Sequence, residues 1–203
     1  MVGNDVVDLR DPESRPETLH PRFDTRVFTA SEREVIEGSS ESSRVRWKLW
    51  AAKEAVYKLL RKRVAATVFS PIRFEVDLAA PEQAIVTHGV DRVRVAYQEN
   101  DGAVHAVASS PTDRPASLFS AWRRVDSAEW AAGGAEAPSR AVRALLCEHV
   151  ATRLCVAVDE VEVRRDGRVP RLWVGQRPAA ADVSLSHHGG WLGFACELAG
   201  VPS

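Results

Sequence analysis

"SRVRWKLWAAKEAVYKLLRKR", residues 43–63, places apolar residues at helical spacing. Leu49, Ala52, Val56 and Leu59 or Leu60 form one apolar face for a core. Trp47, Trp50 or Ala51, Glu54 and Lys58 share the neighbouring face. The pattern predicts a long helix over 42–62. Residues 43–63 carry eight cations and a single acid, Glu54, in a chain whose formal charge is only −1. A local basic excess in a near-neutral chain points to a local polyanion rather than to nucleic acid.

Outward from this helix, the chain reads as two halves. "GNDVVDL" (3–9) predicts a short strand, and "TASEREVIEG" (29–38) a helix capped by Thr29 or Ser31 and stopped by Gly38. Strands are expected at 72–78, 84–89, 93–100 and 102–110, with Asn100-Asp101-Gly102 as a hairpin turn. Small, turn-rich "AEWAAGGAEAPS" (128–139) reads as the connection, giving halves 1–127 and 128–203. A second amphipathic helix is predicted at 139–156, with Val142, Leu145, Leu146, His149 and Leu154 on its buried side. A strand–turn–strand and a final strand pair follow. Helices and antiparallel hairpins in mixed order imply an α+β fold: two similar halves, each a helix on a small, mostly antiparallel sheet, forming a pseudo-dimer.

Composition narrows the function. At 203 residues and 45% apolar, the chain can bury a substantial core. It has no long uncharged apolar run and no basic-then-apolar leader, so no membrane span and no secretory signal are expected. Cys147, Cys155 and Cys196 lack metal-ligand spacing and read as small buried hydrophobes in a reducing cytoplasm. No Gly-rich phosphate loop occurs, and the six histidines show no zinc spacing. By themselves, Glu54 and Lys58 read as a helix-supporting surface pair, and His187-His188 as a surface pair.

An ordered set of motifs changes that balance. "GNDVVDL", "RFDTRVFTASE" (22–32), "WAAKEAVYK" (50–58), "DGRVPRLW" (166–173) and "VSLSHHGGW" (183–191) together resemble the 4′-phosphopantetheinyl transferase superfamily. "WAAKEAVYK" matches every fixed position of the family pattern Trp-x-x-Lys-Glu-[Ala/Ser]-x-x-Lys. The resemblance implies transfer of 4′-phosphopantetheine from coenzyme A to a serine of an apo acyl or peptidyl carrier protein, releasing 3′,5′-adenosine diphosphate. It implies Mg²⁺ on Asp5 and Glu54, with Glu54 as base and Lys58 on the pyrophosphate. Lys53, Arg143, Gly167, Arg168, Pro170, Ser186 and His187 are the implied cofactor contacts. Arg143 and His187 would meet the 3′-phosphate, and Gly167, Arg168 and Pro170 would form a turn near the adenine. The surplus cations Arg44 and Arg46, with Arg22 and Arg26, would face the acidic carrier protein.

Two departures from the family pattern stand out. The larger, surfactin-synthetase-activating type has a second acid where this chain has Val7, and Asp8 should point away from Asp5 by strand alternation. The half bearing Asp5 and Glu54 also comes first, as in the small synthases, although the length matches two halves. The expected site is a cleft between swapped halves of one chain, able to work as a monomer. A metal-dependent nuclease and a coenzyme-A-binding module without activity are the alternatives. A nuclease core wants Glu-x-Lys on a strand, and a bare binding module has no need of Asp5, Glu54 and Lys58.

Overall fold

The first strand, β1 (Val2–Asp8), and the long helix α3 (Ser42–Arg63) lie against each other so closely that glycine is required at the contact. A Cβ at Gly3 would sit 2.0 Å from the Ala55 carbonyl oxygen. The structure is a computed structural model and describes residues 1–100, 102–110, 116–125, 134, 136–167 and 169–199. Between β1 and α3 come two shorter helices, α1 (Phe23–Val27) and α2 (Ala30–Glu37). The first half continues with β2 (Glu75–Ala80), β3 (Gln83–His88), β4 (Asp91–Asn100) and β5 (Ala103–Ser109). Then follow β6 (Ala116–Arg124), α4 (Ala137–Leu154), β7 (Val161–Asp166), β8 (Val169–Val174), β9 (Arg177–Pro178), β10 (Ala181–His188) and β11 (Trp191–Ala199).

The fold is α+β. Strands β1 to β5 form one antiparallel sheet in the order β1-β5-β4-β3-β2. The apolar stripe of α3 covers one face, and Ala52, Val56 and Leu59 pack with Val7, Phe74, Val86 and Val95. In the second half, Val142, Leu145, Leu146 and Val150 of α4 join a core with Leu172, Leu192 and Phe194. That half contains two three-stranded sheets, β10-β11-β6 and β7-β8-β9. Among the described residues, no helix is long and apolar enough to cross a membrane.

Several expectations need correction. Strand β6 lies on the first side of the 127/128 division, yet it pairs along its length with β11 of the second half. The expected strand at 72–78 begins later, at Glu75, because Pro71 opens a single 3₁₀ turn. Cys147 and Cys196 are buried, but Cys155 is exposed and ends α4 in the left-handed conformation, φ 53°. His149 is exposed and only its ring edge meets Phe194, while Val150 takes the buried position. Asp101 of the hairpin signal and most of 128–139 lie outside the described residues.

Lys53 is also not where the resemblance implies. Its side chain is fully buried, and Nζ donates to Glu32 Oε2 (2.7 Å), the Phe74 carbonyl (2.6 Å) and the Pro71 carbonyl (3.1 Å). Glu32 Oε2 accepts the Thr29 N–H and its Oε1 the Val76 N–H, while Thr29 Oγ1 caps α2. One buried carboxylate therefore ties α2, α3 and β2 together, and the lysine that neutralises it has no direction left for a cofactor.

The halves meet along β1. Amides of an edge strand point alternately toward its partner and away from it. Leu9 N–H reaches the Gly102 carbonyl on the β5 side. On the open side, Val2, Asn4 and Asp8 N–H donate to Asp182 Oδ2 (2.6 Å), Ser184 Oγ (2.9 Å) and His188 Nδ1 (3.1 Å). The offset is 180 residues each time, so β10 runs parallel to β1 and alternate β10 side chains accept the edge amides. Lys62 Nζ closes one end on the Val2 and Val183 carbonyls, both at 2.7 Å, and on Asp182 Oδ1 at 2.9 Å.

Removing Lys53 leaves Glu32 charged and buried without its counter-ion. Lys53→Met is expected to lower the unfolding free energy by ~3–5 kcal/mol. Urea unfolding checks this, and a loss below ~1 kcal/mol would contradict the keystone role.

Candidate active site

A cavity of about 450 Å³ opens between α3 and the second half. Tyr57, Lys58, Arg61 and Lys62 line it from α3, Arg143 from α4, Arg165, Gly167 and Pro170 from the β7–β8 hairpin, and His187 from β10. Six of its side chains are basic (Lys58, Arg61, Lys62, Arg143, Arg165 and His187), and no acid lines it among the described residues. A concave wall of this charge suits a ligand bearing several phosphates.

Lys58 links this wall to Asp5 and Glu54, the other two residues singled out in the first half. Lys58 Nζ donates to Asp5 Oδ1 at 2.7 Å and to the Asn4 carbonyl at 3.0 Å. Lys58 therefore reaches across to β1, which the surface-pair reading of Glu54 and Lys58 does not allow for. Glu54 is partly buried one turn earlier, and its carboxyl is pushed up to about 7. Burial is the main cause, Lys58 works against it, and the neighbouring Asp5 charge adds to it. A carboxyl that titrates near neutral pH can both accept and release a proton. Two carboxylates sharing one corner form a hard oxygen donor set for a divalent cation.

The second half supplies the rest of the wall. His187 stands at the cavity rim, and partial desolvation, then Lys58, then His188 push its imidazole below the ordinary histidine value, with Asp5 opposing. Arg143 Nη1 is turned back on Ser139, 2.8 Å from Oγ and 3.1 Å from the carbonyl. Gly167 turns the β7–β8 hairpin at φ 60°. Arg168 lies outside the described residues. Ser186 is absent from the cavity wall: it is buried, accepts from Asn4 Nδ2 at 2.7 Å and donates to the Gly193 carbonyl at 3.3 Å.

Much of the surplus charge on α3 is neutralised within the chain. Arg46 makes a bidentate pair with Asp24, at 2.8 and 2.9 Å. Arg44 meets Glu41, Glu99 and the Asn100 carbonyl. Lys48 meets Glu99, and Arg63 meets Asp91. Asp24 of α1 thus holds Arg46, and Glu41 at the start of α3 and Glu99 of β4 hold Arg44, whereas Arg22 and Arg26 are exposed.

A sequence model of the 4′-phosphopantetheinyl transferase superfamily matches residues 1–121, more than half of the chain. The chain belongs to that superfamily. Holo-[acyl-carrier-protein] synthases of Brucella ovis and Brucella canis are each 38% identical over 68 residues, 34% of this chain and 51% of theirs. The chain spans about half the length of the relatives it matches. For this superfamily member, the matched stretch contains Asp5, Glu54 and Lys58. Arg143, Gly167, Pro170 and His187 lie beyond it, so their assembly around one cavity is an independent observation.

The motif reading did not single out Tyr57 or Arg165 as cavity residues, nor Asn4, His105 or Ser184 at the joint. Arg61 and Lys62, two of the eight cations of residues 43–63, also line the cavity. Among the described residues, one group of three ligand atoms could hold a metal: Asp11, Glu13 and His188. His188 Nδ1 already accepts the Asp8 N–H. In the neutral ring, Nε2 then carries the proton and offers a donor rather than a lone pair.

The raised carboxyl of Glu54 has a stability consequence with a definite sign. Its ordinary value is 4.5, so folding costs nothing extra below that pH, and the cost grows as the pH rises toward 7. Glu54→Gln should therefore stabilise the metal-free chain by roughly 1–3 kcal/mol at pH 8 and change little at pH 4. Urea titrations at the two pH values test this, and equal stability at pH 8 would contradict it.

Proposed function

We propose that the chain transfers 4′-phosphopantetheine from coenzyme A to a serine of an apo acyl or peptidyl carrier protein. The observation that carries this reading is a cavity walled by six basic side chains, one of which, Lys58, donates to Asp5 and stands one helical turn from Glu54. Coenzyme A has the matching layout, with a 3′-phosphate at one end and a pyrophosphate nearer the transferred arm. Arg143 and His187 would hold the 3′-phosphate, the Gly167–Pro170 turn would flank the adenine, and Lys58 and Arg61 would hold the pyrophosphate. Asp5 and Glu54 are the residues that would hold Mg²⁺, and a bound ion supplies charge neutralisation at the pyrophosphate.

The remaining chemistry belongs to the protein's own groups. Glu54 takes the proton from the carrier serine. The serine oxygen forms a bond to the phosphorus that carries the pantetheine arm. The bond from that phosphorus to the bridging oxygen breaks, and 3′,5′-adenosine diphosphate leaves with the electron pair. Lys58, drawn off Asp5 toward the substrate, balances the charge on the leaving group. All of these groups come from one chain, so a monomer suffices. Arg22 and Arg26 are the exposed cations offered to an acidic carrier.

The test is to incubate the chain with coenzyme A, Mg²⁺ and a panel of apo carriers and to weigh the carriers. A mass gain of one phosphopantetheine is expected, lost on chelation and reduced at least ~100-fold by Asp5→Ala or Glu54→Gln. Arg143→Ala should weaken coenzyme A by roughly 10–150-fold and 3′-dephospho-coenzyme A by less than ~2-fold. Unmodified carriers across the panel, or full activity in excess chelator, would refute the reading.

A further inference from the structure

Asn4 is wholly buried where the halves meet, and it makes hydrogen bonds to both of them. Its main-chain N–H donates to Ser184 Oγ at 2.9 Å, and its carbonyl accepts Lys58 Nζ at 3.0 Å. Its side-chain Nδ2 donates to Ser186 Oγ at 2.7 Å and lies 3.0 Å from His105 Nε2. His105 is itself buried, and its Nδ1 is 3.2 Å from Gln98 Oε1. Burial, with a smaller contribution from Lys58, brings its pKa down to about 3, so the ring is neutral. Nδ1–H then donates to Gln98, and Nε2 accepts from Asn4. The cluster is tight, since a Cβ at Gly193 would fall 2.9 Å from His105 Nε2 and 3.2 Å from Ser186 Oγ.

Asn4 Oδ1 is buried without a partner among the described residues. A half-satisfied amide inside a core is costly compared with an aliphatic side chain of the same size. Asp5 follows Asn4 in the chain, and His187 follows Ser186. One side-chain hydrogen bond thus joins the chain neighbour of Asp5, which holds Lys58, to the chain neighbour of His187, which lines the cavity with Lys58.

We infer that Asn4 is a positioning residue: through Ser186 it sets His187 against the Asp5–Lys58 pair, so that one ligand with phosphates at both ends can reach both. This rests on the proposed reading of the cavity. The test is a double-mutant cycle read by calorimetric binding of 3′,5′-adenosine diphosphate, with thermal unfolding recorded for every variant. Asn4→Leu should cost ~10-fold in affinity in the native chain and less than ~2-fold when His187→Ala is already present. Ser186→Ala, which removes only the hydroxyl, should reproduce the pattern if Asn4→Leu fails to fold. Equal losses in both backgrounds, or a native chain that binds no 3′,5′-adenosine diphosphate, overturn the role. Coupled losses in a chain that modifies no carrier uphold the role and overturn the transfer reading instead.

Discussion

A β-strand with one unpaired edge must do something with its outward amides. In this protein, β1 gives them to the side chains of β10: the Val2, Asn4 and Asp8 N–H groups meet Asp182, Ser184 and His188. Main-chain pairing would have fused the two sheets and left no room for polar side chains between them. Side-chain acceptors hold the strands apart while fixing their register at three positions. That register brings His187, on the intervening position, to the cavity shared with Lys58. Asp8 adds a second lock, since its Oδ2 accepts the Gly190 N–H at 2.9 Å. Gly189 turns at φ 52° beside it, where a Cβ would lie 2.5 Å from the same oxygen.

The long helix divides its labour along its length. Its first turns settle charge locally, with Arg44, Arg46 and Lys48 each paired to an acid. Its middle buries Lys53 on Glu32 and so anchors α2 and β2. Only the last turns present cations to the cavity, and there Lys58 and Lys62 are held by β1 and β10 groups. The single acid sits at the boundary between the packed middle and the charged end. Glu54 is buried enough to resist ionisation and near enough to Lys58 and Asp5 to feel both.

Periodicity and short motifs made much of this legible in the sequence. Helix α3 appears within one residue of its expected ends, because Leu49, Ala52, Val56 and Leu59 repeat at a helical period. The motif residues Asp5, Glu54, Lys58, Arg143, Gly167, Pro170 and His187 are brought to one corner or one cavity wall. What the sequence hid was the destination of side chains whose partners are remote in the chain. Lys53 and Lys58 belong to one motif and look equivalent, yet one points into the core and the other to β1. Ser186 stands beside His187 in the chain, but strand alternation turns it toward Asn4. Strand β6 could not be placed because its partner, β11, lies some 70 residues further along. The polar alternation Asp182, Ser184, Ser186, His188 resembles an ordinary solvent-facing strand until β1 is seen beside it.

The offset of 180 residues across the β1–β10 joint also bears on the order in which the molecule can be built. A ribosome makes β1 roughly 10–40 s before β10. The five-stranded sheet and α3 can assemble in that interval, because the strands that pair within the sheet and the core that α3 packs against lie within the first 110 residues. The β1 edge meanwhile stays open, with its outward amides answered only by water. Long-range pairings of this kind form late and are exposed to competitors while they wait. The half that carries Asp5, Glu54 and Lys58 is thus finished first, and its cavity acquires a second wall only when the last strands arrive.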